Sequence, residues 1–178
     1  LGNYINDDAS SIGLTESNQN IIEGNAAFIH QGNWAAGAYR NAEDFAYDED
    51  WSFKTYPGSE GMYMLHFDSF LYPSDNPSPE ATETFLSFVG SKKAQVAFNQ
   101  YNGSIPTRTD VYMSEFGPYL QETQQDFADA DQRPPNLQHG LGVPSETMTA
   151  LNDVISSEFS GPYNVDAATE GFVDAVSN

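Results

Sequence analysis

The chain contains no cysteine and very few cations. Its 178 residues include 6 Lys and Arg against 26 Asp and Glu, a net charge of -20. Without cysteine there is no disulfide, thiolate metal ligand or cysteine nucleophile. Nucleic acids and anionic membranes bind clusters of Lys and Arg, and Lys92-Lys93 is the only adjacent pair, so neither partner is expected. No apolar run is long enough to predict membrane insertion.

The composition nevertheless predicts a folded protein. Apolar residues make up 39% of the chain and aromatic residues 13%, which is enough for a hydrophobic core. An acidic, lysine-poor, compact chain is typical of salt-loving organisms such as haloarchaea, because concentrated salt screens the repulsion between carboxylates. An acidic protein from a mesophile is the alternative. The first residue is Leu1, so we expect either a processed terminus or a piece of a larger protein.

Alternating helix and strand signals predict an α/β fold with a short mixed sheet and a helix-rich C-terminal part. Strand patterns cover residues 26–31, 51–55 and 62–66. Capping residues, prolines and glycines predict helices over residues 15–23, 34–42, 79–89, from 91 onward, 118–130, 145–157 and 164–176. Thr15 is the expected cap of the first of these helices. In the helix from residue 91, Val96, Ala97 and Phe98 are expected to face inward.

A tryptophan follows the first predicted strand. Trp34 lies in Gly32-Asn33-Trp34-Ala35-Ala36-Gly37, where a strand would pass into a helix. Ligands of open α/β sheets bind beyond the carboxyl ends of strands, where a helix N-terminus offers unpaired N–H donors. An indole beside such donors suits a sugar, whose C–H face can lie on the ring. Packing of Trp34 in the core is the equally weighted alternative.

Several segments occur in a characteristic order. They are Glu23 to Phe28, Gly32 to Gly37, Phe67 to Phe70, Phe85 to Ser91, Asn102 to Arg108 and Gln138 to Gly140. Together they resemble the carboxy-terminal lobe of extracellular solute-binding proteins (family 1) of sugar ABC importers, in the glucose-type branch. The resemblance implies one lobe of a periplasmic-binding-protein type II-like fold over residues 1–178, with the N-terminal lobe absent.

The resemblance also implies a ligand site. Trp34 matches the tryptophan that flanks the sugar, Asp68 a residue that hydrogen-bonds sugar hydroxyls, and His139 the histidine that closes the site. Asn102 stands where similar proteins often carry lysine, so a cationic donor is lost; its amide can still bond a hydroxyl. Asn33 completes the predicted ligand-binding set.

Each candidate also has a structural interpretation. Asp68 would cap a turn, and His139 would be a loop histidine bonded to backbone. Trp51 is expected to pack in the core, and Arg108 to form an internal ion pair because carboxylates are abundant.

The predicted function is a non-catalytic substrate-binding component that closes on a glucose-like monosaccharide or short oligosaccharide. The sugar, an ABC permease and the missing lobe are its expected partners. It is expected outside the cell, anchored to the surface through a segment not present here. No catalytic residue, metal or cofactor is predicted. The alternative is a halophilic carbohydrate-active enzyme domain that uses paired carboxylates. Carboxylates are plentiful in this chain, but the sequence does not give the distances between them that glycoside hydrolysis requires.

Overall fold

Helices dominate the molecule. The computed structural model describes residues 4–9, 11–138, 142–159 and 163–177. Within these ranges lie seven α-helices and one 3₁₀ helix, Met113–Glu115. The α-helices are α1 (Leu14–Ile22), α2 (Ala35–Arg40), α3 (Pro79–Val89), α4 (Lys92–Asn102), α5 (Pro118–Asp129), α6 (Ser145–Phe159) and α7 (Val165–Ser177). Each predicted helix is confirmed to within a few residues, and none is long and apolar enough to span a bilayer.

Local capping explains these boundaries. Ser91 Oγ accepts the N–H of Ala94 at 3.3 Å at the start of α4, and Gly103 ends that helix with a φ of 84°. The prediction that Thr15 caps α1 is wrong. Gly13 is the N-cap, and its N–H donates to the Glu16 carboxylate at 3.2 Å, so the acid closes the first turn in place of a threonine hydroxyl.

The predicted mixed sheet is not confirmed. In the part of the chain that the structure describes, β-structure is limited to three isolated bridges, Tyr47–Trp51, Met62–Gln132 and Leu65–Pro135. Residues 26–31 form no ladder, and Phe28 within them is 94% exposed. A strand is stable only with a hydrogen-bonded neighbouring strand. The strand-like run over residues 26–31 does not show whether the fold provides such a neighbour.

The chain divides into two compact units. The larger unit comprises Leu1–Gly61 and Asp68–Ala130, and the smaller comprises Met62–Phe67 and Asp131–Asn178. In the smaller unit α6 packs on α7, where Gly171 leaves room for Val154: a β-carbon on the glycine would lie 2.9 Å from Val154 Cγ2.

The core of the larger unit is rich in aromatic rings. Trp51 is 8% exposed, and its ring centroid lies 4.9 Å from Tyr47, 5.0 Å from Tyr39 and 5.3 Å from Tyr119. Tyr119 also meets Phe53 edge-on at 5.0 Å. We call these five residues the aromatic cluster. The prediction that Trp51 packs in the core is therefore confirmed.

The inward face of α4 differs from the prediction. Phe98 is 60% exposed and Ala97 is also exposed, whereas Asn99 is 5% exposed and Val96 packs against the core. Asn99 occupies the buried position because its polar atoms are satisfied there: Nδ2 donates to the carbonyl of Gln95 at 2.8 Å, and Oδ1 accepts the hydroxyl of Ser104 at 3.1 Å. The prediction for Phe98 and Ala97 is wrong because apolarity alone was used to choose the face.

Candidate functional site

Trp34 immediately precedes α2 and is half-buried. The first helical N–H groups are already used: Ala35, Ala36 and Gly37 donate to the carbonyls of Gly32, Asn33 and Trp34 at 3.0 to 3.2 Å. The expectation that these groups offer unpaired donors to a ligand is therefore wrong. The loop has closed into tight turns, so these three N–H groups are not available to a ligand.

The loop before α2 is held by the aromatic cluster. Tyr119, in α5, donates its hydroxyl hydrogen to the Asn33 carbonyl at 2.9 Å, while its ring packs beside Trp51. The hydroxyl reaches the loop because the ring stands in the core, with the residue only 6% exposed. The core thus fixes the backbone directly before the candidate indole.

Two glycines bring the Trp34 segment against the end of α4. A β-carbon on Gly37 would lie 2.7 Å from the carbonyl oxygen of Asn102, and one on Gly103 would lie 2.7 Å from the backbone nitrogen of Gly37. Real side-chain carbons do not approach backbone atoms so closely. The two predicted segments, Gly32 to Gly37 and Asn102 to Arg108, therefore meet at a backbone contact that only glycine permits.

Asn102 has a defined orientation at this junction. Its Nδ2 donates to the Ser104 hydroxyl, which donates in turn to Asn99 Oδ1 at 3.1 Å. Within the described residues, Asn102 Oδ1 accepts no hydrogen bond. The residue can therefore present an acceptor to a ligand hydroxyl, while one of its two amide hydrogens keeps the side chain in place against Ser104.

The other two predicted residues lie elsewhere in the chain. Asp68 is exposed and begins the second segment of the larger unit, after the chain returns from Met62–Phe67. His139 lies outside the described residues. The structure thus brings the segments of Asn33, Trp34 and Asn102 together, and the roles of Asp68 and His139 stay predictions.

Sequence reasoning did not identify Tyr119, Gly37 and Gly103 as parts of the site. The glycines carried a visible signal, because both lie in segments already singled out: Gly37 is in the first turn of α2, and Gly103 directly follows α4. Tyr119 carried no such signal, since a tyrosine in the first turn of an amphipathic helix commonly packs in the core.

Charged groups border the aromatic cluster on α5. Tyr47 donates to the Glu122 carboxylate at 2.7 Å, and burial together with this bond raises the pKa of Tyr47. Burial also raises the pKa of Asp126, helped by repulsion from Glu122 and Asp129. No group of three or more His, Asp or Glu side chains within the described ranges is arranged to hold a metal ion.

The predicted ion pair of Arg108 is confirmed. Its Nε lies 2.7 Å and its Nη2 2.9 Å from the two carboxylate oxygens of Asp110. Hydrogen bonding to the guanidinium lowers the pKa of Asp110. Arg108 also donates to the carbonyl of Gly90 at 2.9 Å, so it joins the segment after α4 to the turn between α3 and α4.

Comparison with known families identifies the class of protein. The sequence model described as "Bacterial extracellular solute-binding protein" matches residues 4–138. The chain belongs to this family. That assignment agrees with the resemblance to solute-binding proteins drawn from the order of the segments. The relatives are named as binding proteins, in agreement with the predicted non-catalytic role.

Three individual proteins are similar to almost the whole of this chain. The chain is 47% identical over 175 residues to a xylose/arabinose-binding protein of Haloferax volcanii, covering 98% of this chain. It is 30% identical over 174 residues, 97% of its length, to an ABC transporter extracellular-binding protein of Pyrococcus horikoshii. It is 27% identical over 180 residues, 99% of its length, to a "probable sugar-binding periplasmic protein" of Rhizobium meliloti.

The alignments cover nearly all of this chain but less than half of each relative. The chain spans 38% of the first two relatives and 43% of the third. The relative at 47% identity comes from a halophilic archaeon, in agreement with the salt-adapted composition.

Proposed function

We propose that this chain is the ligand-contacting part of the sugar-binding component of an ABC importer. The observation that carries the proposal is the contact between the Trp34 loop and the turn at Asn102, made through Gly37 and Gly103. Membership of the solute-binding family and the sugar-binding names of several relatives support it.

The residues at this contact suit a sugar. The indole of Trp34 offers a flat apolar surface for the C–H face of a pyranose, and Asn102 Oδ1 accepts from a hydroxyl. Asp68 and His139 would supply a charge-assisted acceptor and a group that both donates and accepts, and Asn33 a further amide. These groups would recognise the positions of the sugar hydroxyls. Asn102 is uncharged, so the site would lack the cationic donor that a lysine at this position provides.

We assign the ligand to the monosaccharides, with a pentose favoured over glucose. The relative at 47% identity is named for xylose and arabinose, whereas glucose rests on the order of segments alone. Replacement of lysine by Asn102 also argues that the ligand contacts differ from those of the glucose-type branch.

Binding would proceed by closure of two lobes. The face carrying Trp34 and Asn102 would form one wall of a cleft, and the part of the relatives' length that this chain does not span would form the other. Closure excludes water, which strengthens each hydrogen bond, and it selects the state that a membrane permease recognises. Such a receptor works outside the cell; surface anchoring through another segment remains a prediction.

Calorimetry in molar KCl tests this function. The matching segment of the Haloferax volcanii relative is replaced by this chain, and xylose, arabinose and glucose are titrated into the chimera and into the 178-residue chain alone. We expect clear pentose binding by the chimera and weak binding by the chain alone, because half of the contacts are missing while the cost of immobilising the ligand remains.

Two variants of the chimera locate the site. Trp34→Ala should lose at least about 1 kcal/mol of sugar affinity, the value of an aromatic contact. Tyr112→Ala, which removes an aromatic side chain that is 69% exposed, is the control and should bind as the parent does. Unchanged affinity in Trp34→Ala would overturn the site, and steady sugar turnover by purified chimera would favour the enzyme alternative.

A further inference from the structure

Gly32 lies two residues before Trp34, and its backbone conformation does not require glycine. Among the described glycines, those with φ in the left-handed region are Gly24, Gly58, Gly61 and Gly103. Gly32 has no such φ, so an L-residue could adopt its backbone geometry. The reason for glycine at position 32 must lie in what surrounds it.

The surroundings are the indole of Trp34. A β-carbon on Gly32 would lie 2.2 Å from Cη2, 2.2 Å from Cζ3 and 2.5 Å from Cε3 of that ring. Carbon atoms in contact normally stand about 3.5 to 4.0 Å apart. All three atoms belong to the six-membered ring, so that part of the indole lies directly on the Gly32 backbone.

We propose that Gly32 is the positioning residue of the candidate site: by lacking a side chain, it allows the Trp34 indole to lie on its own loop and so fixes the place of the aromatic wall. Any larger residue at position 32 forces the ring to move by more than an ångström. The ring itself makes the ligand contact, and Gly32 acts through it.

The loop backbone is held from several sides, so it does not give way in place of the ring. The Gly32 carbonyl accepts from Ala35 at 3.1 Å, the Trp34 carbonyl accepts from Gly37 at 3.0 Å, and the Asn33 carbonyl accepts from Tyr119. Moving the backbone at position 32 would strain these bonds. Rotating the indole strains none of them, and rotation is therefore the expected response to a side chain.

The consequence for ligand binding rests on the proposed function. An indole displaced from Gly32 no longer presents the same surface beside Asn102, so affinity falls although no ligand-contacting group has been removed. A residue at position 32 thereby determines which sugar ring the wall accommodates. We expect Gly32→Ala in the chimera to lose roughly tenfold in pentose affinity, comparable to loss of an aromatic contact.

Fluorescence of the 178-residue chain tests the positioning directly. The chain has two tryptophans, so Trp51→Phe leaves Trp34 as the sole indole. In that background Gly32→Ala should shift the emission maximum and change quenching by acrylamide. Gly117→Ala is the matched control, because a β-carbon there meets no atom within 4 Å, and it should leave both signals as they were. Unchanged Trp34 emission and quenching in Gly32→Ala would overturn the proposal.

A thermodynamic cycle retains Trp51 and supplies a second test. Gly32→Ala should lower the melting temperature when Trp34 is present and should have little effect in the Trp34→Ala chain, because the clash requires the ring. An equal loss in both backgrounds would assign Gly32 a backbone role and overturn the proposal. If the indole moves but the chimera binds pentose unchanged, the positioning holds and the sugar contact of Trp34 fails.

Discussion

The two tryptophans of this chain occupy opposite kinds of environment. Trp51 is 8% exposed and is surrounded by tyrosine rings on several sides, whereas Trp34 is half-buried and rests on the backbone of Gly32. The first indole contributes mainly buried area, and the second keeps part of its surface for solvent or a ligand. Identical side chains thus serve stability in one region and, on the proposed function, sugar recognition in the other.

The two regions are connected through one tyrosine. The Tyr119 ring packs against Trp51, and the Tyr119 hydroxyl bonds to the carbonyl of Asn33, directly before Trp34. A rigid core can therefore hold a surface loop in place without burying it. A loop held in this way is preorganised, as the proposed sugar contact of Trp34 would require.

Removal of the buried indole should give the largest effect. Trp51→Ala leaves a cavity among closely packed rings and should destabilise the chain by about 3 to 5 kcal/mol in chemical denaturation at molar KCl. Trp34→Ala, the matched variant, should cost clearly less because its ring is only partly buried. Equal losses in the two variants would refute the division into a core and a recognition tryptophan.

The glycine contact between α2 and α4 should rank next. Gly103→Ala combines a φ of 84° with a β-carbon 2.7 Å from the Gly37 nitrogen, so it should cost roughly 2 to 4 kcal/mol. Gly24→Ala has a similar φ of 74° with open space around the β-carbon, and it measures the conformational part alone. If both variants lose the same stability, close approach of the two helices is not what requires glycine at position 103.

The hydroxyl that joins core and loop should have a moderate effect. Tyr119→Phe keeps the ring among its neighbours and removes one hydrogen bond, so we expect a loss of about 1 kcal/mol. Faster amide exchange should accompany it in residues 32 to 34, as the loop loses its anchor. Tyr112→Phe, at a position 69% exposed, should alter neither quantity. Unaltered exchange in Tyr119→Phe would mean that the core does not hold the loop.

The smallest expected effect concerns charge beside the core. The pKa of Asp126 is raised, mainly by burial, so the folded state binds its proton more tightly than the unfolded state does. Stability from this group is full below the unfolded pKa and is lost as the pH rises through the raised folded pKa. Asp126→Asn should therefore slightly stabilise the chain at neutral pH and flatten the fall in stability that occurs as the pH rises through the folded pKa of Asp126.

Asp75→Asn removes the same formal charge from an exposed position of the larger unit and serves as the control. A pH profile of stability that changes equally in both variants would show that net charge, rather than the setting of Asp126, causes the effect.

Sequence predicted the helices well because their signals are local. Ser91, Pro79 and Gly103 act within one turn of the ends that they mark. The predicted sheet was not confirmed. The pattern over residues 26–31 is local and does not indicate whether a neighbouring strand is available for pairing. The buried face of α4 was also wrong, because Asn99 is satisfied by Ser104 and Gln95, contacts that apolar periodicity does not reveal.

For the candidate site, sequence supplied the residues and not their arrangement. The order of segments pointed to Trp34 and Asn102, and the structure showed that their segments meet through Gly37 and Gly103. The contribution of Tyr119 could not be predicted, because its partner Asn33 lies 86 positions away in the chain.

By itself the sequence determined the helix boundaries, the acidic and cation-poor surface, and the family to which the chain belongs, because these follow from composition, local capping and the order of motifs. Only the tertiary structure decided that Trp34 is half-buried and not part of the core, and why glycine stands at positions 32, 37 and 103. Those answers depend on distances between atoms that are set by packing, and a linear pattern of residue types does not specify such distances.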